Sequence, residues 1–224
     1  MSTTYPITWD GDGERRYENG VDHGVLYLQK NKDTNNKPYA NGVAWNGLTS
    51  VTESPSGAEP TNFYADNIKY GTMRSAEEYG GTIEAFTYPD DFKSCNGEAS
   101  IASGVTIGQQ ARDTFGMCYR SNIGDDQSQE AGYKLHLVYG ATVSPSEVTH
   151  ETINDNPDAQ AMSWEFDTNP VAVKDHKPTS VLTIDSTVAT KAKMDALEEI
   201  LYGKDSVAPR LPLPDEVATI MAAG

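Results

Sequence analysis

Residues 42–91 read GVAWNGLTSVTESPSGAEPTNFYADNIKYGTMRSAEEYGGTIEAFTYPDD, and they set the class of fold that we expect. Aromatic and polar residues alternate around Phe63 and Tyr64 and again over residues 82–88. Alternation with period two predicts strands with one face on a core and the other in polar surroundings. The segment 53–60, which lies between the apolar run around Trp45 and these aromatic segments, is punctuated by Pro and Gly and too long for a tight turn. Long loops in compact domains are often functional, so we expect a contact arm here.

The composition limits the function classes. Of 224 residues, 37% are hydrophobic and twelve are Tyr, which is enough for a packed core. The formal net charge is −16, from 33 acidic and 17 basic side chains. Binding to nucleic acid requires Lys and Arg that replace the counterions of the phosphates. We therefore do not expect sequence-specific DNA or RNA binding, although such an acidic surface would let nucleic acid pass without adhering.

The rest of the chain predicts a mainly β fold. Further strands are predicted at 24–29, 115–120, 133–139, 161–167 and 180–185. The segment 133–139 alternates most clearly, with the odd-numbered residues Tyr133 to Tyr139 on one face and Lys134, His136 and Val138 on the other. Residues 92–110 fit either a short helix leading into a loop or a pair of weak strands, and residues 124–132 predict a solvated hairpin tip.

The clear helical patterns lie near the end of the chain. Residues 191–202 place Met194, Leu197 and Leu201 on one side at helical spacing, and Gly203 follows as a stop. A Pro-rich linker at 209–214 precedes a second short helix at 215–222. We therefore expect a β domain over residues 1–203 with one flanking helix, and a linker with a short helix over residues 204–224.

The search for catalytic and metal-binding motifs gives no candidate. The sequence has no P-loop, GxGxxG, GxSxG, HExxH or zinc-ligand spacing. Segments 9–14 and 31–36 resemble the start of a calcium loop but lack its Gly and Glu, so they predict turns. His136 has no acid or nucleophile at a recognisable spacing, and we expect a hydrogen-bonded surface residue. No catalytic residue, cofactor or metal is predicted; an enzyme with a site built from distant residues is the alternative left open.

The cysteines and the N-terminus indicate the cellular compartment in which we expect the protein. Cys95 and Cys118 have no CxxC or metal spacing, and we expect two free thiols in or near the core. Residues 1–6 show neither the basic nor the apolar region of a secretory signal, and no apolar run is long enough to span a bilayer. We therefore expect the protein to be made in a cytoplasm and, at least at first, kept there.

Four segments together resemble the major tail tube proteins of long-tailed bacteriophages. They are GVAWNGLTSVTESPSGAEPT at 42–61, the aromatic strand that ends YPD at 88–90, YKLHLVYG at 133–140 and WEFDTNPV at 164–171. The resemblance extends over roughly residues 20–190 and rests on the order and character of these segments. The Pro-rich extension at the C-terminus is less typical of that family.

The resemblance implies a fold and an assembly. It implies a small β-sandwich or half-barrel with a flanking helix, which forms homohexameric rings that stack into a tube around a tape measure protein. Tail terminator and tip proteins would be further partners, the mature location would be the virion, and DNA would pass through without specific binding. Open sheet edges favour aggregation of a monomer, and pairing of those edges between neighbours in a ring would remove them.

Two sets of residues follow as site hypotheses. Contacts between subunits or rings are assigned to the arm residues Glu53, Ser54, Pro55, Glu59, Pro60 and Asn62. Glu84 and Glu165 lie at polar positions of alternating strands and are assigned to the bore, where negative charge would repel DNA.

A binding module is the alternative function. A carbohydrate- or surface-binding β-sandwich of a virion would expose Trp9, Trp45 or Trp164 as a flat platform. Trp164 alternates with residues predicted to lie in the core, which argues against its use in such a platform.

Overall fold

The computed structural model describes residue 9 and residues 11–29, 38–39, 41–152 and 159–222. The strands are β1 Tyr17–Leu28, β2 Val43–Trp45, β3 Leu48–Glu53, β4 Ser56–Gly57, β5 Pro60–Ala65, β6 Ile68–Arg74, β7 Glu77–Glu78, β8 Gly80–Ala85, β9 Ala99–Ala102, β10 Val105–Ile107, β11 Phe115–Gly124, β12 Gly132–Val143, β13 Met162–Thr168 and β14 Val181–Asp185. The helices are α1 Phe92–Cys95, α2 Lys191–Tyr202 and α3 Pro214–Ala222. The predicted turn at 31–36 lies outside the described residues.

One antiparallel sheet forms the body of the protein. Its strand order is β2-β1-β11-β12-β13-β8-β3, and β14 pairs with β12 beside β13. The two ends of this order, β2 and β3, are separated in sequence only by Asn46 and Gly47. The sheet therefore curls into a half-barrel, in which Leu48 of β3 approaches Gly24 of β1. Within the described residues no strand pairing joins β1 to β3.

The inside of the half-barrel is an apolar core around Trp164, which is 1% exposed. The Trp164 ring lies 5.2 Å from Phe92, 5.5 Å from Tyr88 and 5.8 Å from Trp45, measured between ring centroids. Phe92 belongs to α1, so this four-residue helix closes one end of the half-barrel. Edge-to-face aromatic packing of this kind adds to the stabilisation from burial alone.

The outer face of the same sheet is covered by the C-terminal elements. The side chains of α2 that are buried there are Met194, Leu197 and Leu201, as the helical spacing predicts. The Tyr27 hydroxyl donates to the Leu201 carbonyl at 2.6 Å, and the Tyr139 hydroxyl donates to the Pro212 carbonyl at 2.9 Å. Leu211 and Val217 are also buried in this second core, so the segment 209–222 packs on the sheet, whereas residues 204–208 are exposed.

The predicted class of fold is confirmed: the chain is mainly β, with α2 as a flanking helix and α3 near the C-terminus. The five strands predicted outside residues 42–91 all form, and most extend beyond their predicted bounds. The alternation in β12 is confirmed, since Leu135, Leu137 and Tyr139 lie in the outer core and Val138 lies in the inner one. Residues 92–110 contain both alternatives, because α1 is followed by the two-stranded pair β9–β10.

The predicted free thiols are also confirmed. Cys95 and Cys118 are both free and buried, but the sheet separates them, since Cys95 lies in the inner core and Cys118 in the outer one. Removal from water raises the pKa of each thiol to about 12. None of the described helices has the length and apolar character that crossing a membrane requires.

Candidate functional site

Residues 54–79, which we call the arm, form a long antiparallel hairpin that leaves β3 after Glu53 and returns at Gly80. Its lower part is the short pair β4–β7, and its upper part is the pair β5–β6, whose partners run from Pro60↔Arg74 to Ala65↔Ile68 with one register shift. Asp66 and Asn67 make the turn with φ values of 51° and 63°. A two-residue turn with two positive φ angles is the type that suits the twist of a hairpin. The strand predicted around Phe63 and Tyr64 is present as β5, whereas the segment 53–60, expected to be a loop, contains the short strand β4.

The upper part of the arm exposes an unusual amount of apolar surface. Its large exposed side chains are Phe63 (42%), Tyr64 (69%), Ile68 (64%), Tyr70 (69%) and Met73 (67%). A two-stranded hairpin without packing partners is at best marginally stable in water. A contiguous exposed apolar patch on a soluble protein commonly marks a contact with another molecule. The arm thus has the character of a contact surface.

The arm residues proposed from the sequence lie in different surroundings. Ser54 and Pro55 line a groove at the base of the arm, together with Glu165 and Asp167. Glu59, Pro60 and Asn62 are exposed. The described contacts of Asn62 include a hydrogen bond from the Thr72 hydroxyl at 2.8 Å, which braces the two strands of the arm.

The contact residues assigned from the sequence do not include the five large apolar side chains that the arm exposes between Phe63 and Met73. The spacing of Ile68, Tyr70 and Met73 in a segment with few charges was the available signal.

Glu53 lies at the root of the arm and turns towards the half-barrel. Its carboxylate accepts a hydrogen bond from the Tyr119 hydroxyl at 2.7 Å and lies 3.4 Å from His136 Nδ1. The His136 ring lowers the pKa of the Glu53 carboxyl to about 2, more than offsetting the increase from partial burial. Glu53 therefore fixes the start of the arm to the sheet.

His136 occupies the centre of a polar cluster at this end of the half-barrel. The residue is only 8% exposed, and its ring stacks on Tyr119 with 4.6 Å between centroids and 2° between planes. The Nε2 atom lies 2.9 Å from the Ser121 hydroxyl and 3.4 Å from Glu18. The expected hydrogen bonding is present, but the expectation of a surface position was wrong. Burial follows because β1, β3 and β11 bring acceptors and a stacking ring from distant parts of the chain.

The Ser121–His136–Glu53 arrangement has the residue types of a catalytic triad but not its direction of hydrogen bonding. The Ser121 hydroxyl donates to Glu18 at 2.5 Å, so it can only accept from His136 Nε2. A nucleophilic serine must instead donate its proton to the imidazole. Lys134 donates to the same Glu18 carboxylate at 2.5 Å. His136 lies between the carboxylates of Glu18 and Glu53, 3.4 Å from each, so the cluster brings strands β1, β3 and β12 together.

Replacing His136 by Gln is expected to make the free energy of unfolding depend less on pH in acid. Because the pKa of Glu53 is lowered to about 2 in the folded chain, its contribution is complete above its ordinary pKa of 4.5 and is lost as the pH falls towards 2. Without the imidazole the folded pKa rises, so stability depends less on pH in this window. Urea unfolding at several pH values measures the effect. His150→Gln, at an exposed position, should keep the wild-type slope; equal slopes in wild type and His136→Gln would contradict the prediction.

The second feature is an acidic face on the outside of strands β3, β8 and β13. The register pairs Ser163 with Glu84 and Glu165 with Thr82, so the two predicted bore residues lie on the same face of neighbouring strands. The Ser50 hydroxyl donates to Glu84 at 2.8 Å, whereas Glu165 is exposed. None of these three strands contains Lys, Arg or His. The face therefore carries uncompensated negative charge from its own strands.

The three tryptophans do not form a platform. Trp45 is 2% exposed and Trp164 is 1% exposed, whereas Trp9 is 78% exposed. Stacking on a sugar ring requires accessible aromatic faces, and two of the three proposed residues lack them. Among the described residues, no three His, Cys, Asp or Glu side chains are grouped so that they could hold a metal ion.

No protein-family model matches the sequence, and a search of curated proteins finds no significant match.

Proposed function

We propose that the chain is a structural virion protein that polymerises as stacked homohexameric rings and forms the hollow tail tube of a long-tailed phage. The observation that carries the proposal is the arm, whose five large apolar side chains are exposed in the single chain. A protein that acted alone would gain nothing from this surface and would risk aggregation. In an assembly the same side chains are removed from water. The tape measure, terminator and tip proteins would then be partners, and the mature location would be the virion.

The acidic face supports the same function. A tube that releases DNA needs a wall to which phosphate groups do not adhere, and adhesion depends on basic side chains. Glu84 and Glu165 lie on a face whose strands carry no basic residue. We assign this face to the bore, where it would repel the genome during ejection.

Electron microscopy of the concentrated protein tests the assembly. Negative staining should show rings of six subunits or tubes built from such rings. Sedimentation should show a species much larger than the 24.3 kDa single chain. A strictly monomeric protein over the whole accessible concentration range would remove the proposal.

Reversal of charge on the acidic face tests the bore. Glu165→Lys is expected to slow the release of DNA from phage that carry the variant, because a cation on the wall binds phosphate, while tubes still form. Fluorescence of a DNA-binding dye after triggered ejection measures the rate. Glu130→Lys, which makes the same change at an exposed position of the β11–β12 hairpin, is the control. An unchanged rate in Glu165→Lys would place this face outside the bore.

A further inference from the structure

A second hairpin leaves the opposite end of strand β8. The arm enters β8 at Gly80, whereas after Ala85 the chain continues into α1 and then into the pair β9–β10. We call β9–β10 the distal hairpin. Helix α1 closes the apolar end of the half-barrel through Phe92, whereas the root of the arm lies at the polar end beside His136. The two hairpins therefore lie at opposite ends of the body.

The distal hairpin is apolar and without charge. Ile101 is 64% exposed, Val105 is 47% exposed and Ile107 is 38% exposed. Residues 99–108 read ASIASGVTIG and contain no ionisable side chain. Within the described residues its strands pair only with each other. Like the arm, it is a two-stranded hairpin that lacks the packing that stabilises such units.

The two hairpins hold most of the exposed large apolar side chains. Of fourteen such residues in the described part of the chain, five lie on the arm and three on the distal hairpin, and the other six are scattered. Two copies that each carry a charge of −16 repel one another. Contact between copies therefore costs least where apolar area is available and acidic charge is low. Residues 99–108 carry no charge, and the upper part of the arm, residues 60–74, carries two bases, Lys69 and Arg74, against one acid, Asp66, a net charge of +1.

We propose that the arm of one copy binds the distal hairpin of a second copy, head to tail. This inference rests on the proposed function and identifies the partner surface of the arm. A contact between two different patches at opposite ends of the molecule is heterologous, and it leaves one free patch of each kind after every addition. Such a contact extends without limit along one axis, as the stacking of rings requires. A contact between two arms would close a two-fold pair and leave both distal hairpins exposed.

Cysteine cross-linking tests the pairing in the full chain. Tyr64→Cys and Val105→Cys place one thiol on each hairpin, at positions 69% and 47% exposed, while the native Cys95 and Cys118 are buried and contribute no background. Under mild oxidation the mixture of the two variants should form a disulfide-linked dimer at least about tenfold faster than either variant alone, because a seated pair of thiols has a high effective concentration. A mixture of Tyr64→Cys with Val188→Cys, which is 82% exposed and lies on neither hairpin, should not.

The double variant Tyr64→Cys/Val105→Cys separates the geometries. A head-to-tail contact gives a ladder of linked multimers on a non-reducing gel. Dimers that form equally well from Tyr64→Cys alone would show a contact between arms and overturn the inference.

Electron microscopy of the same samples distinguishes a failure of this inference from a failure of the proposed function. Rings or tubes without the mixed cross-link would overturn the inference and leave the tail tube proposal standing. A ladder of linked multimers without rings would support the pairing and remove the tail tube proposal.

Discussion

Replacing Ile68 and Tyr70 together by serine is expected to raise the concentration at which the chain assembles by about 100-fold. Both side chains are exposed in the single chain, at 64% and 69%, so the variant loses no core packing. Burial of two such side chains in a contact contributes about 3 kcal/mol, and 1.4 kcal/mol corresponds to a factor of ten. Sedimentation velocity over a concentration series measures the midpoint of assembly.

Val188→Ser is the matched control, because Val188 is 82% exposed and lies outside both hairpins. It should assemble as the wild type does. At concentrations below the onset of assembly all three proteins should unfold at the same temperature, since the substituted positions are exposed in the monomer. An unchanged midpoint of assembly in the Ile68/Tyr70 variant would exclude the arm as a contact surface.

Trp164→Ala is expected to reduce the free energy of unfolding by about 3–5 kcal/mol, the range for truncation of a large buried aromatic side chain. Trp164 is 1% exposed and packs against three aromatic rings, one of which belongs to the helix that closes the half-barrel. For a chain of this length such a loss lowers the melting temperature by on the order of 10 °C. Urea unfolding followed by tyrosine fluorescence or circular dichroism gives the free energy directly.

Trp9→Ala makes the same change at a position that is 78% exposed. Its free energy of unfolding should lie within about 0.5 kcal/mol of the wild type, as for most surface substitutions. If Trp164→Ala changed the free energy of unfolding as little as Trp9→Ala does, the aromatic cluster could not be the centre of the inner core.

The strands and the long helix were predictable because their signals are local. The alternation of β12 and of β13 reports which side chains face a core, and α2 begins at Lys191 and ends at Tyr202 as its spacing predicts. One face of β12 meets the helices and the other meets the inner core, and the sequence alone shows only that two faces exist. Which core each face meets depends on the curl of the sheet, a property of the whole chain.

The arm and the polar cluster were harder to predict for different reasons. The pairing of β5 with β6 contains a register shift between Phe63 and Tyr64, which breaks the alternation that would reveal a hairpin. Ala58 adopts a positive φ of 54°, a backbone angle that residues other than Gly seldom take. His136 meets Glu53 across 83 positions of sequence, and no spacing rule connects residues so far apart.

The placement of the two cysteines has a consequence for where the protein can function. The sheet stands between Cys95 and Cys118, so the folded chain cannot join them in a disulfide. Their raised pKa values keep both sulfurs in the unreactive protonated form. An internal disulfide between them is therefore absent from the folded chain in a reducing cell interior and in oxidising surroundings alike.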